Sequence, residues 1–192
     1  MNELAAQAGT IHRAAGPRTV TAVSAIATFA AIASALVMLG SLMPWARLVQ
    51  PGSSDELLMN STIDGLAIVD GRVALAFGLL TAGAAAGLIL ARSRAGQRAA
   101  LGAILVASLA VGTIAVVDAI RARERFPSVR VDQVARQISD TTGLPLDPIR
   151  ARLASQVGGP MSVTLGAGMA LVLAGTALGA TASIVALERL RR

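Results

Sequence analysis

The sequence predicts an all-α fold: a membrane four-helix bundle with a long extracytoplasmic loop of two short amphipathic helices. Three observations carry that expectation. Four apolar stretches, Val20–Met43, Val73–Ala91, Ala99–Val117 and Met161–Leu187, contain no charged side chain. Each is long enough to cross a hydrocarbon core of about 30 Å, which takes ~20 helical residues. More than half of the chain is apolar, 54% against 15% charged. Glycine and alanine abound within the stretches, a composition tolerated by helices in a bilayer better than by helices in water.

Met1–Thr19 forms a polar arm that closes with Gly16-Pro17-Arg18. The apolar run behind it is too extended for a cleaved signal peptide and reads as an uncleaved anchor. The first span ends at Pro44-Trp45, placing the single tryptophan at the membrane–water boundary as an interfacial anchor. Loop one, residues 44–72, is acidic and carries two Asp-Gly pairs, Asp64-Gly65 and Asp70-Gly71, around the apolar run Leu66–Val69. These read as turn signals, consistent with a small hairpin or a pair of turns on the bilayer surface.

Loop two, Arg92–Arg98, is short, which makes spans two and three antiparallel neighbours. Loop three, residues 118–160, is the longest polar segment. There Pro127 is expected to break a helix running on from span three. Beyond it, Val131, Val134 and Ile138 recur at helical spacing over Asp132–Ser139. A second helix, Asp147–Val157, takes Asp147 as N-cap and Pro148 in its first turn. Its apolar stripe is Ile149, Leu153 and Val157, and Gly158-Gly159-Pro160 ends it. Helices this short are marginal alone in water, so their stripes are expected to rest on the bundle, the membrane or a partner.

Charge sets the orientation. The arm, loop two and the tail hold eight of the 17 arginines, whereas loop one is net acidic. Both termini are therefore expected in the cytoplasm and loops one and three outside it. The net charge of +6 sits mainly at membrane boundaries and is not read as a nucleic-acid signal.

The candidate sites concern assembly. Gly83 and Gly87 in span two, Gly112 in span three, and Gly175 and Gly179 in span four lie on small faces that let helix backbones approach closely. Internal packing and a dedicated oligomer interface both fit that spacing. Arg121, Arg123 and Arg125, with Ile149, Leu153 and Val157, are candidate contacts to a partner protein or to anionic lipid. Asp118 is expected to pair with Arg121 one turn on. The alternative is that it faces an opening in the outer leaflet. Cysteine is absent and His12 stands alone, so neither metal ligands nor a catalytic set is read here, and no cofactor is expected.

The segments Ser41-Leu42-Met43-Pro44-Trp45, Asp64-Gly65 and Asp70-Gly71-Arg72-Val73-Ala74-Leu75 resemble a recurrent pattern in small actinobacterial membrane proteins. In those proteins a first span ends in Pro-Trp, and an Asp-Gly loop leads into the next. The resemblance covers about Ser41–Leu80 and implies a four-span fold and a bacterial group, with no activity attached. The high arginine and absent lysine also suit a GC-rich bacterial genome.

The functional expectation is a non-catalytic accessory or scaffold subunit of a larger cell-envelope complex, such as a respiratory assembly or lipid-transport machine. It would sit in the bacterial plasma membrane beside other integral membrane subunits and lipid. The alternative is a small transporter or lipid-binding protein that works as its own homo-oligomer.

Overall fold

The computed structural model describes residues 17–49, 60–156 and 162–191. Helix α1 (Pro17–Leu42) leads into strands β1 (Pro44–Val49) and β2 (Asn60–Asp64) and a 3-10 turn, Gly65–Ala67. Helices α2 (Val69–Leu90) and α3 (Arg94–Ile120) follow, then α4 (Ala122–Thr142) and α5 (Leu146–Gln156). Strand β3 (Ser162–Leu165) and helix α6 (Ala167–Arg191) complete the order. Helices α1, α2, α3 and α6 are long and apolar enough to cross a membrane, the build of a multi-pass membrane protein. Their 26, 22, 27 and 25 residues correspond to about 33–40 Å of helix at ~1.5 Å per residue.

The four long helices form a closed ring in which α1 touches α6 and α2, while α3 touches α2 and α6. Small residues bring the backbones together. A methyl group on Gly40 would lie 2.5 Å from the Gly168 carbonyl, and one on Gly175 would lie 2.7 Å from that of Ala33. The α1–α6 seam is therefore backbone on backbone, a packing that larger side chains forbid. Between α1 and α2 the buried Ser34 hydroxyl donates to the Gly78 carbonyl at 2.7 Å.

A three-stranded antiparallel sheet, ordered β2-β1-β3, covers one end of the ring. Strand β1, straight after the first span, pairs with β2 on one side and β3 on the other, so Arg47 lies opposite both Thr62 and Thr164. The sheet thus joins loop one to loop three. It also corrects the expected start of the fourth span. Ser162–Leu165 of the apolar run is strand, and the helix begins at Ala167. Hydropathy could not separate the two, because Val163 and Leu165 are as apolar as the helix they precede.

The register slips between Pro44 and Ala46, leaving Trp45 as a bulge residue. A bulge bends its strand and re-aims side chains, and Trp45 and Ala46 are both fully buried although adjacent in sequence. The indole N–H of Trp45 donates to the Gly40 carbonyl at 2.9 Å, satisfying a buried donor with a carbonyl from the last turn of α1. Trp45 is therefore not an interfacial anchor. It is the centre of a core shared by cap and bundle, with Ile63, Phe126, Met169 and Val172.

Asp64-Gly65 opens a turn as expected, the 3-10 turn Gly65–Ala67 with Asp64 at its N-cap, whereas Asp70-Gly71 does not. A methyl on Gly65 would meet the Ser41 carbonyl at 2.3 Å and the Trp45 indole at 2.5 Å, and one on Gly71 would meet the Gly65 carbonyl at 2.0 Å. Both glycines serve close packing, and Asp70-Gly71 already lies in the first turn of α2. A hairpin does form in loop one, from β1 and β2 rather than around Leu66–Val69.

Loop three also differs from expectation. The break after the third span falls at Arg121, and Pro127 lies inside α4, which runs through Asp132–Ser139 to Thr142. Because α4 starts afresh at Ala122, Pro127 removes only one backbone bond, one turn into the helix. Gly143, at φ 70, caps α4 in the left-handed region, and its N–H donates to the Ser139 carbonyl. Helix α5 starts at Leu146, so Asp147 sits in its first turn rather than capping it.

Candidate functional site

The junction between cap and bundle holds an ionic cluster built on one buried acid, Asp118. Asp70 comes from the first turn of α2, Asp118 from the last turn of α3 and Arg125 from the first turns of α4. The Arg125 guanidinium bridges them, one terminal nitrogen on Asp118 Oδ1 and the other 2.5 Å from Asp70 Oδ2. Asp118 is 1% exposed, Asp70 19% and Arg125 43%. Two carboxylates therefore share one cation at the point where three helices meet the sheet. Such charge-assisted contacts fix orientation, and removing one partner strands buried charge.

This geometry replaces the expected Asp118–Arg121 pair. The chain turns at Arg121, which leaves that side chain exposed and brings Arg125 round instead. Two helical turns separate Asp118 from Arg125 in sequence, a hint of a shared face. Asp70 carried no such signal, since it lies on the neighbouring helix α2, 48 residues before Asp118 in sequence. Arg121, Arg123 and Arg125 are all exposed, but of the three only Arg125 has its guanidinium on these two acids.

The apolar stripes of loop three cover one another. Val131, Ala135 and Leu153 are buried together, and Val134, Ile138, Leu146 and Ile149 pack around them, forming an α4–α5 helical hairpin. Arg150 Nε lies 2.7 Å from Asp132 Oδ1 across it. Leu153 is thus buried inside the hairpin, which corrects its assignment as a contact to a partner or lipid, and Ile149 packs beside it while half-buried. Val157 lies outside the described residues. The surface these helices need is the one each gives the other.

The predicted packing glycines divide into two sets. Gly112, Gly175 and Gly179 lie inside the bundle, where an added methyl would meet Thr176 Oγ1 at 3.3 Å, Ala33 O at 2.7 Å and Ser108 Oγ at 2.5 Å. Gly83 and Gly87 face outward with nothing within 4 Å. Exposed Leu79, Leu80, Ile89 and Leu90 share their helix. Internal packing is therefore corrected for this pair. Gly40, Gly78 and Gly168 also pack helix on helix, although none has a second glycine four residues away.

Among the described residues no group of three His, Cys, Asp or Glu side chains is placed to hold a metal ion. Comparison with protein families, with curated proteins and with solved structures finds no match to this chain.

Proposed function

We propose that this chain is a non-catalytic accessory or scaffold subunit of a larger membrane complex in the bacterial cell envelope. In this reading it lies in the plasma membrane with both termini in the cytoplasm and its sheet-and-hairpin cap outside. The observation that carries the proposal is the outward Gly83–Gly87 face of α2. Glycine costs a helix about 0.5–1 kcal/mol relative to alanine. Glycines four apart permit the close helix approach from which association in lipid gains its packing energy. Among the described residues nothing uses that approach, so a helix from another subunit is its natural occupant. A cap built from both loops on a close-packed bundle suits the same role, since it offers a rigid water-side platform.

Copurification after mild detergent extraction tests the proposal, comparing wild type with Gly83→Leu/Gly87→Leu. The expected result is a stoichiometric set of larger subunits with the wild type, lost in the variant while the melting temperature of the isolated chain holds. A homogeneous homo-oligomer, dissociated by the same change, would favour the self-associating alternative. An unaltered complex would remove the basis of the proposal.

A further inference from the structure

A cavity of about 10 Å³ lies near the middle of the ring, touched by all four long helices. Much of its wall is apolar, from Ala33, Val37 and Val111, but three hydroxyl-bearing residues line it from different helices: Thr81, Ser108 and Thr176. The Thr81 hydroxyl donates to the Phe77 carbonyl at 2.8 Å and that of Thr176 to the Leu173 carbonyl at 3.0 Å. Each oxygen keeps lone pairs to offer. Ser108 is 6% exposed, and among the described residues its hydroxyl makes no hydrogen bond. It spans neither back to its own helix nor across to a neighbour.

Ser108 Oγ is not sealed among protein atoms as Ser183 Oγ is; it borders the cavity, where a bilayer supplies no bulk solvent to a hydroxyl. A void needs about 10–15 Å³ and two to four polar partners to hold a water molecule, which this one provides. We infer that the cavity is a built water site: one ordered water is held by Ser108, Thr81 and Thr176 and ties α2, α3 and α6 together inside the bundle. The hydrogen-bond inventory closes. The water accepts the Ser108 proton and donates its own two protons to the threonine oxygens, whose protons are already committed to carbonyls.

The site also gives Gly179 a purpose. A methyl there would lie 2.5 Å from Ser108 Oγ and force that hydroxyl toward the space the water needs.

The sign of one stability change tests the inference. If the cavity is dry, Ser108→Ala removes an unpaired buried hydroxyl, and the melting temperature in detergent holds or rises. If it is wet, the substitution removes the anchor of a shared water, and the melting temperature falls by about 2–5 °C. Thr176→Val should then cost less in the Ser108→Ala background than in wild type, because both act through one molecule. A high-resolution density map of the wild type gives a readout independent of stability. A single water peak together with a lowered melting temperature supports the site. An empty cavity, an unchanged or raised melting temperature, or strict additivity overturns it, and a larger solute in the density overturns water as the occupant.

Discussion

Arg125 bears more structural consequence than any other single charge described here, because it alone faces two acids at the seam between cap and bundle. Arg125→Ala would leave Asp118 buried without its cation. Breaking such a pair from one side costs about 3–5 kcal/mol, with the lower end expected because Arg125 is partly open to solvent. Asp118→Asn is expected to cost much less, since it removes one of two like charges crowding a single guanidinium. In the double variant the arginine substitution should therefore cost less than it does alone. Thermal melts of the four proteins in one detergent check this, and full additivity would mean that the cluster does not act as a unit. Gly65 sets a second residue-scale test. Gly65→Ala drives a methyl onto the Ser41 carbonyl and the Trp45 ring. Displacing either disturbs the shared core by ~1–3 kcal/mol, and tryptophan fluorescence should report the shift. Of this, an ion pair at Asp118 was legible from the residues, but neither its partner Arg125 nor the packing of Gly65 and Trp45 was. An Asp-Gly pair looks the same whether its glycine makes a turn or lets two backbones touch, and an interfacial tryptophan looks the same as a buried one.

Among the elements, the α4–α5 hairpin and the α2 helix make opposite predictions from similar sequence patterns. The apolar stripes of α4 and α5 were visible as periodicity, but periodicity does not say what covers a stripe. The fold answers that each covers the other. Ile149→Asp with Leu153→Asp should therefore open the hairpin, raising amide exchange across Ala122–Gln156 while the four long helices stay inserted. Slow exchange persisting in the double variant would mean that another surface holds α5. In α2 the glycine spacing was equally visible, and it too was silent about direction. Gly175→Leu should lower the melting temperature sharply, since that site abuts the Ala33 carbonyl. Gly83→Leu should leave it nearly unchanged, because its side chain enters open space. Spacing alone treats the two glycines alike, and the structure separates them.

At the scale of the whole molecule, the sheet places loops one and three at the same end of the bundle, with the arginines of loop two and of the α6 terminus at the other. At that far end Arg98 donates to the Leu190 carbonyl at 2.9 Å, joining α3 to α6. On the charge bias, the proposed orientation has the arginine-rich end in the cytoplasm. Single cysteines test it cleanly, because the chain has none of its own. Thr62→Cys on the exposed sheet face should react with an impermeant thiol reagent in intact cells, and Ala95→Cys should not. The reverse pattern would invert the topology.

Four membrane-length helices, their order and the antiparallel pairing of the second and third were determined by the sequence alone. Hydrophobic runs and a short loop are local properties, and each can be read without knowing where the rest of the chain lies. The sheet, the buried tryptophan, the ionic cluster and the direction of each glycine face were decided only by tertiary structure. Strand β1 finds β3 more than a hundred residues away, and Arg125 gathers acids from two different helices. Such pairings are selected by which backbones can approach and which buried groups can be satisfied once all four helices are in place. That is a property of the closed ring, and no window of the sequence contains it.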